Sequence, residues 1–232
     1  MSNSPRSFFI GWDVGGWNCD RNKKSRDALV ILDSMGEECG SPWRGNLRGT
    51  INEANSTSEW LEALFRLCEE EYPASASVVM AVDAPLGFSE QFLKLAGSLC
   101  PIQSIGDSHS NSYLFRQTER LLFERGCRPL SALKDMLGSQ ATKGMHVLAK
   151  FAPQLESCGV WTDGHGFRVI ETYPSACRTY AVFSFSGGRG DEADARLCAS
   201  VAHQFATRRE VLEPPKDEIP TSEGWIWVPR GQ

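Results

Sequence analysis

Several carboxylates in this chain stand where apolar runs stop. The run Ser7-Phe8-Phe9-Ile10-Gly11-Trp12 ends in Asp13, and Ser77-Val78-Val79-Met80-Ala81-Val82 ends in Asp83-Ala84-Pro85. A run beginning at Phe167 carries Glu171 near its end, just before Tyr173-Pro174. Runs of this length and composition predict buried strands. Each acid would then lie at a strand's carboxyl end, the edge where open α/β sheets bind ligands. Asp191 and Asp194 are three residues apart at the start of a helical pattern and so share a face, and Asp194 is followed along that face by Cys198, Val201 and Phe205. If the strands ending in Asp13 and Asp83 pair in parallel, about 4.8 Å apart, the two acids become neighbours. Carboxylates so placed repel and raise each other's proton affinity, a conflict that a divalent cation removes. Hard oxygen donors select Mg²⁺ or Mn²⁺, and a two-ion site of this kind can clamp both oxygens of a phosphodiester under attack. On this reading the metal ligands are Asp13, Asp83, Asp191 and Asp194, and the catalytic set is Asp13, Asp83, Asp194 and Glu171.

Each of these residues also has a plainer reading. Asp13 could be a turn residue beside Gly15 and Gly16, glycines that permit positive φ or close approach of a ligand. Asp191 suits an N-cap after Gly190, and Glu171 could simply pair with an arginine. For substrate phosphate the candidates are Arg116 and Arg120, in the polar segment Asn111 to Arg120, and Lys143. Arg116 could instead pair with Glu119 along a helix. The four histidines, at 109, 146, 165 and 203, share no metal-ligand spacing.

The elements that must position these groups follow from the same patterning. After the first strand, Ala28 to Leu32 predicts a second and Trp43 to Ile51 a poorer third, close enough in sequence to form a meander. Ser56 and Glu59 have capping-box spacing ahead of Trp60, Leu61, Leu64, Phe65 and Cys68, which predicts a helix ending at Tyr72-Pro73. The strand before Asp83 follows that helix, so a parallel crossover is expected. A helical insert covers about residues 88–155, the fifth strand runs from Phe167 to Thr172, and the loop Ser186 to Gly190 leads into a last helix from Asp191 to about Phe205. The tail from about 213 to 232 contains Trp225 and Trp227, which should dock on the body rather than stay in water.

A chain of 232 residues with 41% hydrophobic and 23% charged residues fits one soluble domain. Its net charge of −5 argues against wrapping a long duplex and favours a short or locally bound substrate. Eight scattered cysteines without a C-x-x-C pair, and no signal peptide, suit a reducing cytoplasm rather than structural zinc. No apolar stretch approaches the ~20 residues needed to span a membrane.

The predicted order is three meander strands, a helix, a fourth strand, a helical insert, a fifth strand and a final helix. It is that of an α/β ribonuclease-H-like five-stranded mixed sheet, order 3-2-1-4-5, flanked by helices. Asp13, Asp83 and the D-x-x-D-A opening of the last helix resemble the acidic site of that superfamily, especially its Holliday-junction resolvase branch. More closely, Gly11-Trp12-Asp13, Val82-Asp83-Ala84-Pro85-Leu86-Gly87, Tyr113 to Arg120, Val169 to Ala176 and Glu223 to Pro229 are similar to an uncharacterised family. It is known as domain of unknown function four hundred and twenty-nine and is described as a predicted RNase-H-like nuclease. The resemblance extends over nearly the whole chain and implies a divalent-metal site at Asp13, Asp83 and Asp194, with Glu171 and Asp191 beside it. No glutamate matches the one ribonuclease H carries on its first helix.

The function this implies is Mg²⁺- or Mn²⁺-dependent hydrolysis of a phosphodiester in a nucleic acid or nucleotide. Two alternatives compete with it. Asp13-Val14-Gly15-Gly16 also resembles the first phosphate loop of the actin, hexokinase and Hsp70 superfamily, which would make the chain a nucleotide-dependent phosphotransferase, although residues 160 to 232 are too short for the required second half. The other alternative is a binding module that keeps the sheet without turnover.

Overall fold

The computed structural model describes residues 6–22, 24–107, 109–178, 180 and 190–231. Residues 1–5 of the polar lead-in and 186–189 of the glycine-rich loop lie outside them. The strands are β1 (Ser7–Asp13), β2 (Asp27–Leu32), β3 (Trp43–Gly45), β4 (Ser77–Asp83), β5 (Gln154–Ser157), β6 (Val160–Thr162), β7 (Phe167–Thr172) and β8 (Ile226–Trp227). They form one mixed sheet in the order β3-β2-β1-β4-β7-β6-β5, and β8 also pairs with β7. β1 is antiparallel to β2 and parallel to β4, and β4 is parallel to β7.

The five strands expected from the sequence are neighbours in the expected order, but the sheet is larger. The hairpin β5-β6 extends it beyond β7, and β8 runs parallel to β7 at Glu171 and Thr172. These additions leave little trace in the sequence, because all four residues of β5 are exposed and β6 and β8 have three and two residues. The third strand is also shorter than predicted. It stops at Gly45, and Arg48–Glu53 form a short helix, α1.

Side-chain alternation divides the sheet into two apolar faces. On one, Phe8, Ile10, Trp12, Leu29, Met80 and Val169 pack under α2 (Thr57–Leu67) and α5 (Gly138–Phe151), where Trp60 stacks on Phe151 at 5.0 Å. On the other, Phe9, Val30, Ala81 and Ile170 pack under α7 (Asp191–Thr207). The Ser56 hydroxyl caps α2 by accepting the Glu59 N–H at 3.2 Å, while the Glu59 carboxylate accepts from Asn55 rather than from Ser56. α2 ends at Leu67, short of Tyr72-Pro73, because the chain turns at Glu69 with φ 59°.

Gly11 brings α7 close to the sheet. A Cβ at this position would lie 1.8 Å from the Ala195 carbonyl oxygen and 2.3 Å from the Ala199 nitrogen, so the helix rests on bare β1 backbone. The insert holds α3 (Glu90–Ser98), α4 (Gln117–Glu124) and α5; a one-turn helix, α6 (Pro174–Cys177), follows β7. The tail docks as predicted. Trp225 and Trp227 are buried, and their indole N–H groups donate to the carbonyls of Glu213 and Gly159, both at 2.9 Å. Among the described residues no helix is long and apolar enough to cross a membrane.

Candidate functional site

In the parallel pairing of β1 with β4, Asp13 and Asp83 are direct partners at the last register position. Both follow the odd-numbered residues of their strands, Phe9 and Gly11 or Val79 and Ala81, and so lie on the α7 face. Both are half-buried and line a cavity of about 310 Å³. Among the described residues neither carboxylate accepts a hydrogen bond or forms an ion pair. Burial raises the Asp13 carboxyl, and the charges of Asp83, Asp194, Asp191 and Asp27 add to it, reaching about 9. Asp83 is pushed up to about 8 by burial and then by Asp194 and Glu171, against the opposing effect of Arg178. Without a cation the pair therefore retains protons near neutrality.

The close seat of α7 on Gly11 brings Asp191 and Asp194 to this edge. Asp194 pairs with Arg178, which partly offsets the upward push of burial on its carboxyl. Asp191 does not cap its own helix. Gly190 is the N-cap, and the Asp191 carboxylate accepts from Arg44 at 2.6 and 2.7 Å and from the Arg26 N–H at 2.8 Å. Of the predicted ligands, Asp13 and Asp83 are open, Asp194 is shared with an arginine, and Asp191 is tied to β3 and the start of β2. Among the described residues no three His, Cys, Asp or Glu side chains form a ready-made cation cage.

Glu171 leaves the sheet on the opposite face, although it also stands in the wall of the cavity that Asp13 and Asp83 line. It aligns with Val82, not Asp83, and its side chain follows the alternation of Phe167 and Val169 away from α7. There it meets Arg116, whose Nη1 and Nη2 donate to it at 2.8 and 2.5 Å; Arg116 also donates to Glu119 and to the Glu223 carbonyl. The second Glu171 contact is the Leu86 N–H at 2.8 Å, which anchors the turn leaving Asp83. Arg116, 2% exposed and with its guanidinium enclosed by these acceptors, is a structural cation rather than a phosphate ligand, which corrects the expectation from sequence. Lys143 needs the same correction. It is fully buried, pairs with Asp27, and donates to the Gly15 carbonyl at 3.3 Å and to Asn46 Oδ1 at 3.2 Å. Arg120 is half-buried and lines a different, larger cavity of about 440 Å³ with His109, Phe123 and Glu124, which shares no wall residue with the carboxylate cleft. Size does not make that cavity the site, since none of the converging aspartates faces it.

Gly15 and Gly16 do not adopt positive φ. Gly15 is needed because a Cβ would meet the Arg26 and Asp27 backbone at 2.7 Å, and its N–H already donates to Asp27 Oδ1 at 2.9 Å. Asp27 is the organising residue missed by the sequence reading. Fully buried, it also accepts from Trp12 Nε1 at 3.1 Å and from the Leu47 N–H at 2.7 Å. Its position, one residue before an apolar strand, is the available signal. Glu223 was missed too, and it accepts the Glu90 and Gln117 N–H groups at 2.9 and 2.6 Å, capping α3 and α4. Arg178 carries no sequence signal of its own.

Comparison with protein-family models, with curated proteins and with solved structures returned no significant match.

Proposed function

We propose that the chain is a divalent-metal-dependent phosphodiesterase of ribonuclease-H-like architecture, related to the predicted nucleases it resembles. One observation carries this reading. Asp13 and Asp83, partners across adjacent parallel strands, face a cleft with no ion-pair partner among the described residues, and Asp194 approaches from the helix above them. The order β3-β2-β1-β4-β7 and the seat of α7 at the acidic edge support the architecture.

The donor set fits Mg²⁺ or Mn²⁺, since Mg²⁺ is commonly held by one or two carboxylates, with water and substrate phosphate completing its shell. Asp13 and Asp83 would hold the ion, with Asp194 joining them on leaving Arg178. A bound ion would supply Lewis-acid polarisation of a phosphoryl oxygen and offset its developing charge. The protein's own contribution is positioning. β1 and β4 hold the two carboxylates rigidly, and Glu171 fixes the turn after Asp83 through Leu86 N–H. The mouth formed by Pro129 and Leu130 adds apolar wall to the cleft.

The phosphotransferase alternative has less support. The Gly15 amide that would face a phosphate is occupied by Asp27, and Lys143 is sealed beneath the loop. Hydrolysis of labelled single-stranded DNA, RNA, RNA–DNA hybrid and branched DNA, with Mg²⁺ or Mn²⁺, tests the proposal. Metal-dependent cleavage that disappears in a folded Asp83→Asn variant is expected. Equal traces in both proteins would count against it, and metal binding without turnover on any substrate would favour a binding module.

A further inference from the structure

Beside the carboxylate cleft lies a second cavity of about 360 Å³, and Tyr173 and Ser175 belong to the walls of both. Its other walls include Arg125, Arg128 and Tyr180. One loop borders the two cavities, presenting Arg125 and Arg128 to the second and Pro129 and Leu130 to the first. The Tyr173 hydroxyl donates to the Arg128 carbonyl at 2.8 Å, tying this loop to the residue that follows β7. Tyr173 is also close enough to Asp83 and Asp194 for their charges to act on its hydroxyl. The basic cavity is thus held in place against the acidic one.

The cations in this cavity are not consumed by the fold in the way Arg116 and Lys143 are. Arg128 is exposed, and among the described residues its guanidinium has no hydrogen-bond or ion-pair partner. Arg125 is exposed and makes one long pair with Glu213 at 3.7 Å, besides a bond to the Pro229 carbonyl at 2.7 Å. A free guanidinium beside half-buried tyrosine rings matches the chemistry of single-stranded nucleic acid, in which phosphate seeks a planar fork of donors and an unstacked base seeks an aromatic face. A duplex fits less well, because binding one along its length needs a basic surplus and the chain carries −5.

We infer that the Arg125–Arg128–Tyr173 cavity is a subsite for the backbone of a single-stranded polynucleotide, holding a phosphate adjacent to the one presented to Asp13 and Asp83. This rests on the phosphodiesterase reading for the identity of the neighbouring site, and it adds that the substrate is a strand rather than a mononucleotide.

Binding and chemistry are separated in the test. Arg128→Ala and Arg128→Glu are made in the full chain, since among the described residues the Arg128 guanidinium has no partner to lose, and folding is checked by thermal unfolding. In the Asp83→Asn background with Mg²⁺, anisotropy of a fluorescein-labelled single-stranded DNA or RNA oligonucleotide is titrated at several salt concentrations. Arg128→Ala is expected to weaken binding about tenfold and to reduce the salt slope by roughly 0.7, the contribution of one phosphate contact on a single strand. Arg128→Glu weakens it further, and Arg128→Lys recovers part of the loss. In parallel, Arg128→Ala with Asp83 intact should lose oligonucleotide cleavage through KM while hydrolysing bis(p-nitrophenyl) phosphate, too small to reach the subsite, like wild type. Oligonucleotide binding that ignores Arg128, tighter binding of a duplex competitor, or no binding at all overturns the inference. Arg128-dependent binding in a protein that cleaves neither substrate upholds the inference and refutes the phosphodiesterase reading; cleavage indifferent to Arg128 does the reverse.

Discussion

Replacing Asp83 with asparagine removes one charge from the acidic pair with little change of shape. In the absence of divalent cations the variant is expected to be more stable than wild type at alkaline pH. Two charges on adjacent parallel strands, about 5 Å apart, repel by roughly 3 kcal/mol at an effective dielectric constant near 20. Both side chains open into a cleft, so solvent screening lowers the gain to about 1–2 kcal/mol. For a chain of this length that corresponds to a rise in Tm of roughly 2–8 °C. The pH dependence has a definite sign. The folded carboxyls sit at about 9 for Asp13 and about 8 for Asp83, against about 3.9 in an unfolded chain. Between these values the native state binds more protons than the unfolded state, so wild-type stability falls as pH rises through the window. Below it both states are protonated and the contribution vanishes. The advantage of Asp83→Asn should therefore grow from pH 5 to pH 9, as read by thermal unfolding in EDTA. A variant no more stable than wild type at pH 9, with an unchanged pH trend, would refute the electrostatic argument.

Mn²⁺ or Mg²⁺ should raise the wild-type Tm more at pH 9 than at pH 5, because protons compete for the same oxygens, and Asp13→Asn should abolish the rise; an equal rise in the variant would place the ion elsewhere. Lys143→Met leaves the Asp27 carboxylate buried without its cation and should cost about 3–5 kcal/mol in urea unfolding, whereas a loss below ~1 kcal/mol would mean the pair is dispensable. Gly11→Ala forces a methyl into the Ala195 carbonyl and should destabilise by about 3 kcal/mol or more, with divalent-ion binding weakened because α7 carries Asp194. Arg178→Ala should tighten divalent binding several-fold by calorimetry, since a competitor for Asp194 is gone, and unchanged affinity would exclude Asp194 from the ion's shell.

The apolar runs ending in Asp13 and Asp83 were sufficient to place two carboxylates at strand ends, because strand length, β-propensity and the stop at a polar residue are local properties. The meander, the crossover helix and the amphipathic start of α7 were legible for the same reason. Alternation also contained the information that Glu171 and Asp83 leave the sheet on opposite faces, but reading it requires the β4–β7 register, which is not local. The fate of the cations was hidden as well. Arg116, Lys143 and Arg128 look alike in the sequence. Tertiary packing surrounds Arg116 with Glu119 and Glu171, buries Lys143 on Asp27, and leaves Arg128 open beside the cleft. Their partners lie up to 128 residues away along the chain, and whether a charge is desolvated depends on those partners, not on its neighbours. Local patterning thus suffices to place the carboxylates along the strands. Only the folded structure decided which of them meet, which are neutralised, and which cations remain free to bind, because charge burial is a property of assembled surfaces.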